Sequence, residues 1–181
     1  MAPLHALVYQ SQATRPLDAN DLDRLLLDAR VANELADVTG ALLHGGQRFV
    51  QYLEGTRADV EQIYARITRA SQHHRLEILE QGRLDARRFQ RWHMGFATAP
   101  QTLVQQLSQS QWRREIPWLE DESAASSGLT RLLAFWKEEA VLAHVAQAAK
   151  AAGATQLTGE YIPTPKNVLV EKHFEKLGFA Q

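Results

Sequence analysis

Phe49-Val50-Gln51-Tyr52-Leu53-Glu54-Gly55 is the stretch from which the rest of the chain is read. It reads as a short buried strand that ends in a turn. Side chains along a strand alternate between faces. Phe49, Gln51 and Leu53 therefore share one side, and Val50, Tyr52 and Glu54 share the other. Gln51 lies between two large apolar residues on what reads as a core face. An unpaired buried carboxamide costs roughly 1–3 kcal/mol, so this one needs partners. Two readings follow: a glutamine satisfied by neighbouring backbone, as buried polar groups normally are, or a glutamine that hydrogen-bonds a bound ligand.

Before this stretch, Val38 to His44 reads as a strand, and Gly45-Gly46 as the tight hairpin that joins the two. After it, residues 57–72 read as a helix with Val60, Ile63, Tyr64 and Ile67 as its core face. Nearer the N-terminus, Leu4 to Gln10 reads as a first strand carrying Tyr9. Arg15-Pro16 interrupts the pattern. Residues 18–36 follow as a helix that Asp18 or Asn20 can cap. Leu22, Leu25, Leu26 and Ala29 form its apolar stripe, and Asn33 continues it as a second carboxamide on an apolar face. Residues 75–84 and 92–98 read as two more strands, with Trp92, Met94 and Phe96 alternating onto one face of the last. The order β-α-β-β-α-β-β, with both helices on one face of the sheet, is a ferredoxin-like α+β sandwich. A flat ligand fits between the two helices, where Tyr9, Asn33, Gln51 and Met94 converge on its edge.

The bulk composition sets outer limits. The 181 residues allow one domain with a core and an extension. A net charge of -1 gives no basic field for general nucleic-acid or membrane binding. The absence of cysteine excludes disulfides, thiolate chemistry and Cys-based metal sites, and fits a reducing cytoplasm. No apolar run reaches the ~20 residues that cross a bilayer, and the first residues lack the pattern of a signal peptide.

Residues 4–98 resemble a BLUF domain, the flavin-binding blue-light sensor family. The resemblance rests on Tyr9 followed by Ser11, Asn33 before Val38-Thr39-Gly40, and the Phe49–Gly55 stretch. It rests also on Tyr64-Ala65-Arg66-Ile67, His73, Arg88-Phe89 and Trp92-His93-Met94-Gly95-Phe96. It implies FAD held noncovalently between the two helices. In that family pattern Tyr9 is the redox-active tyrosine, and Gln51 bridges it to the flavin N5/O4 edge. Asn33 holds the pyrimidine edge. Leu25, Leu26 and Ile67 sandwich the ring beside Ala29, Arg66 lies near the ribityl-phosphate side, and His73 belongs to the cofactor set. Trp92 and Met94 lie on the fifth strand beside the glutamine.

The implied chemistry suits the residue types. A phenol can give an excited flavin an electron and a proton, and a carboxamide relays because it has a donor end and an acceptor end. Rotation or tautomerisation of Gln51 then changes the hydrogen bonding at the flavin edge. Three positions depart from the family pattern: Ala70 and Gln72 stand where an Asp and an Arg are common, and Ala32 precedes Asn33 where His or Asn is frequent. The departures bear on contacts to the ribityl and phosphate tail, and on the choice between FAD and FMN, rather than on the ring edge.

The second half divides into residues 101–137, read as helices packed on the sheet, and a tail, 138–181, with an Ala-rich helix. Gly159-Glu160-Tyr161-Ile162-Pro163-Thr164 followed by Lys166-Asn167, with Leu177-Gly178-Phe179, is similar to the end of a GNAT-type acyltransferase of FkbH-like proteins. The phosphate-cradling glycine loop of that family is missing. The expectation is a blue-light photoreceptor without an enzymatic output domain, cytoplasmic, acting on a signalling protein partner and self-associating. A CoA-dependent acyltransferase, or its remnant, is the alternative.

Overall fold

The computed structural model describes residues 2–90, 92–112 and 128–137. The elements are β1 (Leu4–Ala13), α1 (Ala19–Leu35), β2 (Thr39–Gly45), β3 (Arg48–Thr56), α2 (Arg57–Thr68), β4 (His73–Leu84), β5 (Gly95–Thr98) and α3 (Gln101–Ser108). They form a five-stranded sheet in the order β4-β1-β3-β2-β5. Only β2 and β5 run parallel; the other pairs are antiparallel. This is the ferredoxin-like α+β arrangement, with β3 in the middle of the sheet.

Local chemistry sets the ends of the helices. Asp18 caps α1 through a capping box in which its side chain accepts from the Asp21 N–H while Asp21 accepts from the Asp18 N–H. Thr56 caps α2 by accepting from the Asp59 N–H. The strand therefore passes Gly55 and stops at the cap. The β2–β3 hairpin turns at Gly46, whose φ of 64° favours glycine.

Leu7, Tyr9, Leu42, Phe49 and Leu53 pack beneath α1 and α2 with Leu26, Val60 and Ile63. Leu22, Leu25, Ala29, Tyr64 and Ile67 border this core and are partly buried. The other face of the sheet is covered by α3: a Cβ on Gly45 would come within 2.7 Å of Val104, itself fully buried. Both faces of β3 are thus enclosed, and Phe49 through Gly55 are all buried.

Gly40 is a packing requirement of the same strand pair. A Cβ there would lie 2.0 Å from the Tyr52 carbonyl oxygen, where no side chain can yield. Gly40→Ala is expected to lower stability by about 3 kcal/mol, as overpacking against fixed backbone does. Thermal unfolding checks this; an unchanged midpoint would contradict the close β2–β3 approach.

One sequence expectation needs correction. The last strand begins at Gly95, not at residue 92, so Trp92 and Met94 lie in an irregular segment and do not alternate onto one strand face. Part of α1 also faces solvent: Leu27, Val31 and Leu35 are 63%, 50% and 85% exposed, outside the stripe that the spacing identified.

The chain forms two compact units, Met1–Thr130 and Arg131–Gln181. Residues 128–137 are helical. Of the stretch 101–137 expected as helices, residues 113–127 lie outside the described residues, as does the whole 138–181 tail with its acyltransferase-like motif.

Candidate functional site: a slot between two helices

Register brings the central pair of residues together. Tyr9 on β1 stands directly opposite Gln51 on β3, and Gln51 stands opposite Leu42 on β2. Directly opposed residues project on the same face of a sheet, close enough for their side chains to interact. Accordingly, the Tyr9 hydroxyl donates to Gln51 Oε1. Gln51 Nε2 donates to the Met94 sulfur at 3.4 Å. The partners of this buried amide are therefore side chains, not backbone, and its second N–H has no acceptor among the described residues. Burial, reinforced by the neighbouring Tyr64, pushes the Tyr9 phenol far above its ordinary value, so it stays a neutral donor. The Tyr64 ring meets the Tyr9 ring edge-on, with centroids 5.4 Å apart.

This pair forms the floor of a cavity of about 170 Å³ between α1 and α2. Leu25, Ala29, Ile63 and Ile67 give it apolar walls, while Asn33, Arg66 and His73 stand at its polar margin. Asn33 donates through Nδ2 to the His93 carbonyl at 2.5 Å, which leaves Oδ1 uncommitted among the described residues. The Arg66 guanidinium has no protein partner among the described residues. His73 is held on both ring nitrogens: one meets Ser11 Oγ at 2.9 Å and the other the Ile67 carbonyl at 3.1 Å. A carbonyl only accepts, so Nε2 carries the hydrogen and Nδ1 accepts from Ser11. Burial holds the His73 pKa below its ordinary value, which favours this neutral form.

Of the residues expected at the site, Tyr9, Leu25, Ala29, Asn33, Gln51, Arg66, Ile67, His73 and Met94 line this cavity. Leu26 and Trp92 do not. Leu26 is turned into the core, because one residue along a helix rotates the side chain by about 100° from Leu25. Trp92 packs on the far side of the sheet: its ring lies 6.0 Å from Phe89, which lies 5.3 Å from Tyr52, on the β3 face opposite Gln51. Ala32, Ala70 and Gln72, the three departures from the family pattern, also line the cavity. So does Asp28, which was not singled out from the sequence. Ser11 supports the site from beneath as the partner of His73.

The arrangement fits a planar heteroaromatic ring. Apolar side chains flank a narrow slot that offers an amide N–H from Gln51 at its floor and a carbonyl from Asn33 at its margin, each unused among the described residues, with an arginine at the mouth. A flavin ring presents acceptors and an N–H donor along one edge and an apolar face on each side, so the residues present suit it.

The comparisons agree with that chemistry. The family model for BLUF, sensors of blue-light using FAD, matches residues 4–95, just over half of the chain. A photoactivated adenylate cyclase subunit beta-like protein of Euglena gracilis is 42% identical over 64 residues, which cover 35% of this chain and 8% of that protein. The photoactivated adenylate cyclase subunit beta of Euglena longa is 31% identical over 93 residues, covering 50% of this chain and 11% of that one. The chain thus spans about a tenth of the length of these curated relatives. Among solved structures, the dark state of BlrB, a BLUF protein, is 28% identical with a TM-score of 0.52, covering 55% of this chain and 75% of that one. The photo-activated state of BlsA is 26% identical with a TM-score of 0.56, covering 72% and 91%. A flavin-binding sensor of blue light is the class that fold and family define. This chain belongs to the BLUF family.

Proposed function

We propose that this protein is a blue-light photoreceptor that holds FAD in the α1–α2 slot and signals through the Tyr9–Gln51 pair. The observation that carries the reading is the buried Tyr9–Gln51–Met94 chain at the floor of the slot, with one amide N–H unspent among the described residues. Bound flavin supplies blue absorption and, once excited, oxidising power. Everything else is the work of the chain's own groups. Tyr9 is the electron and proton donor, and Gln51 Oε1 is the first acceptor for that proton. Met94 marks the dark position of the amide by accepting from Nε2. When Gln51 rearranges, by rotation or tautomerisation, this bond to sulfur is exchanged for another, and the change passes to the segment that carries Met94.

Leu25, Ala29 and Ile67 enclose the ring, and the Asn33 carbonyl reads its pyrimidine edge. Arg66, unpaired by protein, supplies the charge for the phosphate side of FAD. His73, committed to Ser11 and Ile67, shapes the slot rather than donating freely to the ligand. Output runs through a signalling protein partner and self-association in the cytoplasm. Among the described residues no helix is long and apolar enough to cross a membrane.

Flavin retention tests the binding half of this reading. Purified protein supplied with FAD should stay yellow through gel filtration. Arg66→Ala should weaken binding by about tenfold, the size of one charge-assisted hydrogen bond. Undiminished retention in that variant would remove Arg66 from the phosphate side.

A further inference from the structure

We infer that Glu54 is a positioning residue of the photoactive site: its buried carboxylate fixes the irregular segment that presents Met94 to Gln51. Glu54 is 0% exposed and lies on the β3 face opposite the slot, three residues beyond Gln51. Four donors converge on it. Oε1 accepts from the Phe89 N–H at 2.6 Å and Thr39 Oγ1 at 3.1 Å; Oε2 accepts from the Arg88 N–H at 2.9 Å and the Tyr52 hydroxyl at 3.0 Å. Both oxygens act only as acceptors, and a carboxylate is the side chain that can do this four times. Thr39 is oriented in turn by Arg87, whose Nη1 donates to its hydroxyl at 2.9 Å while Nη2 meets Asp37 at 2.8 Å.

The two backbone donors give Glu54 its function. Arg88 and Phe89 belong to the connection between β4 and β5, which has no strand or helix to hold it. From there the chain reaches β2, where the Gly40 N–H donates to the Trp92 carbonyl at 2.7 Å. It then reaches α1, where Asn33 holds the His93 carbonyl and Arg30 the Met94 carbonyl. It ends with the Met94 sulfur against the Gln51 amide. One strand, β3, therefore grips this segment at both ends and from opposite faces, by Glu54 at its start and by Gln51 at its end. Buried hydrogen-bonded charges hold geometry because moving them leaves donors unpaired. A rearranging amide at Gln51 thus pulls on a segment whose other end is anchored to the same strand.

The test uses the full chain labelled with [13C-methyl]methionine. There are two methionines, Met1 and Met94, so the second reports the site directly and needs no flavin. Glu54→Gln keeps the shape but turns one acceptor oxygen into a donor facing donors. The Met94 methyl resonance should shift by more than its linewidth or broaden, while circular dichroism stays native. The inference rests on the photoreceptor reading for a second readout: dark recovery after blue light should slow about tenfold, since a looser Met94 offers the returning amide a weaker dark partner. A residue that only supports the fold would lower the melting temperature and leave both readouts unmoved. Thr39→Val, which removes one donor and keeps the carboxylate, should act in the same direction with a smaller effect, and it is read instead if Glu54→Gln does not fold. An unchanged Met94 resonance in a folded variant overturns the inference. A colourless protein whose Met94 resonance moves would sink the photoreceptor reading and leave Glu54 as the anchor.

Discussion

Tyr9→Phe is expected to leave the protein yellow and to abolish its light-induced absorption shift. The substitution removes one atom from a packed ring. The edge-on contact with Tyr64 and the apolar packing against the core survive. The lost hydroxyl is spent on Gln51 Oε1 rather than on the slot, so the walls that hold flavin are untouched. Stability should fall by about 1 kcal/mol, because a buried acceptor loses its donor. The photocycle should fall to background, since among the described residues no other phenol donates to this amide. Tyr64 meets Tyr9 through its ring edge and does not reach Gln51 by any hydrogen bond among the described residues. A normal red shift in Tyr9→Phe would remove Tyr9 from the mechanism.

Gln51→Leu should give the same optical result for a complementary reason. Leucine approximates the volume of glutamine, and the neighbours Leu42, Phe49 and Leu53 are apolar. Flavin should therefore remain bound. Two polar groups lose their partner, the Tyr9 hydroxyl and, more weakly, the Met94 sulfur. The cost is roughly 1–3 kcal/mol for the orphaned hydroxyl, seen as a lower melting temperature. With no amide to rearrange, blue light should produce no shift. A retained shift would mean that the spectral change arises elsewhere than in the hydrogen bonds of Gln51.

The parts of this site that were legible in the sequence are those that period and register control. Alternation along Phe49–Gly55 separated Gln51 from Tyr52 and Glu54, and the two faces of β3 are divided in that way. Helical spacing found the core sides of α1 and α2, and of the two caps the sequence offered, Asp18 and Asn20, Asp18 is the one used. Period could not say which of Leu25 and Leu26 meets the cavity, because both border the same stripe and only the packing angle of α1 separates them. Trp92 was misread because Trp92, Met94 and Phe96 mimic strand alternation. The backbone there leaves the strand pattern, so Met94 turns to the slot while Trp92 turns to Phe89. Glu54 was legible as a residue on the far face but not as an anchor, since its backbone donors lie 34 and 35 positions away in a segment without period. Likewise nothing local in Ser11 or His73 shows that each is the partner of the other across 62 residues.

The light-minus-dark absorption spectrum of the flavin-loaded protein tests the central claim most directly. A small red shift of the flavin bands under blue light, reversing in darkness, is the predicted result. A bound flavin whose spectrum does not move under blue light, in protein with Tyr9 and Gln51 intact, would contradict it.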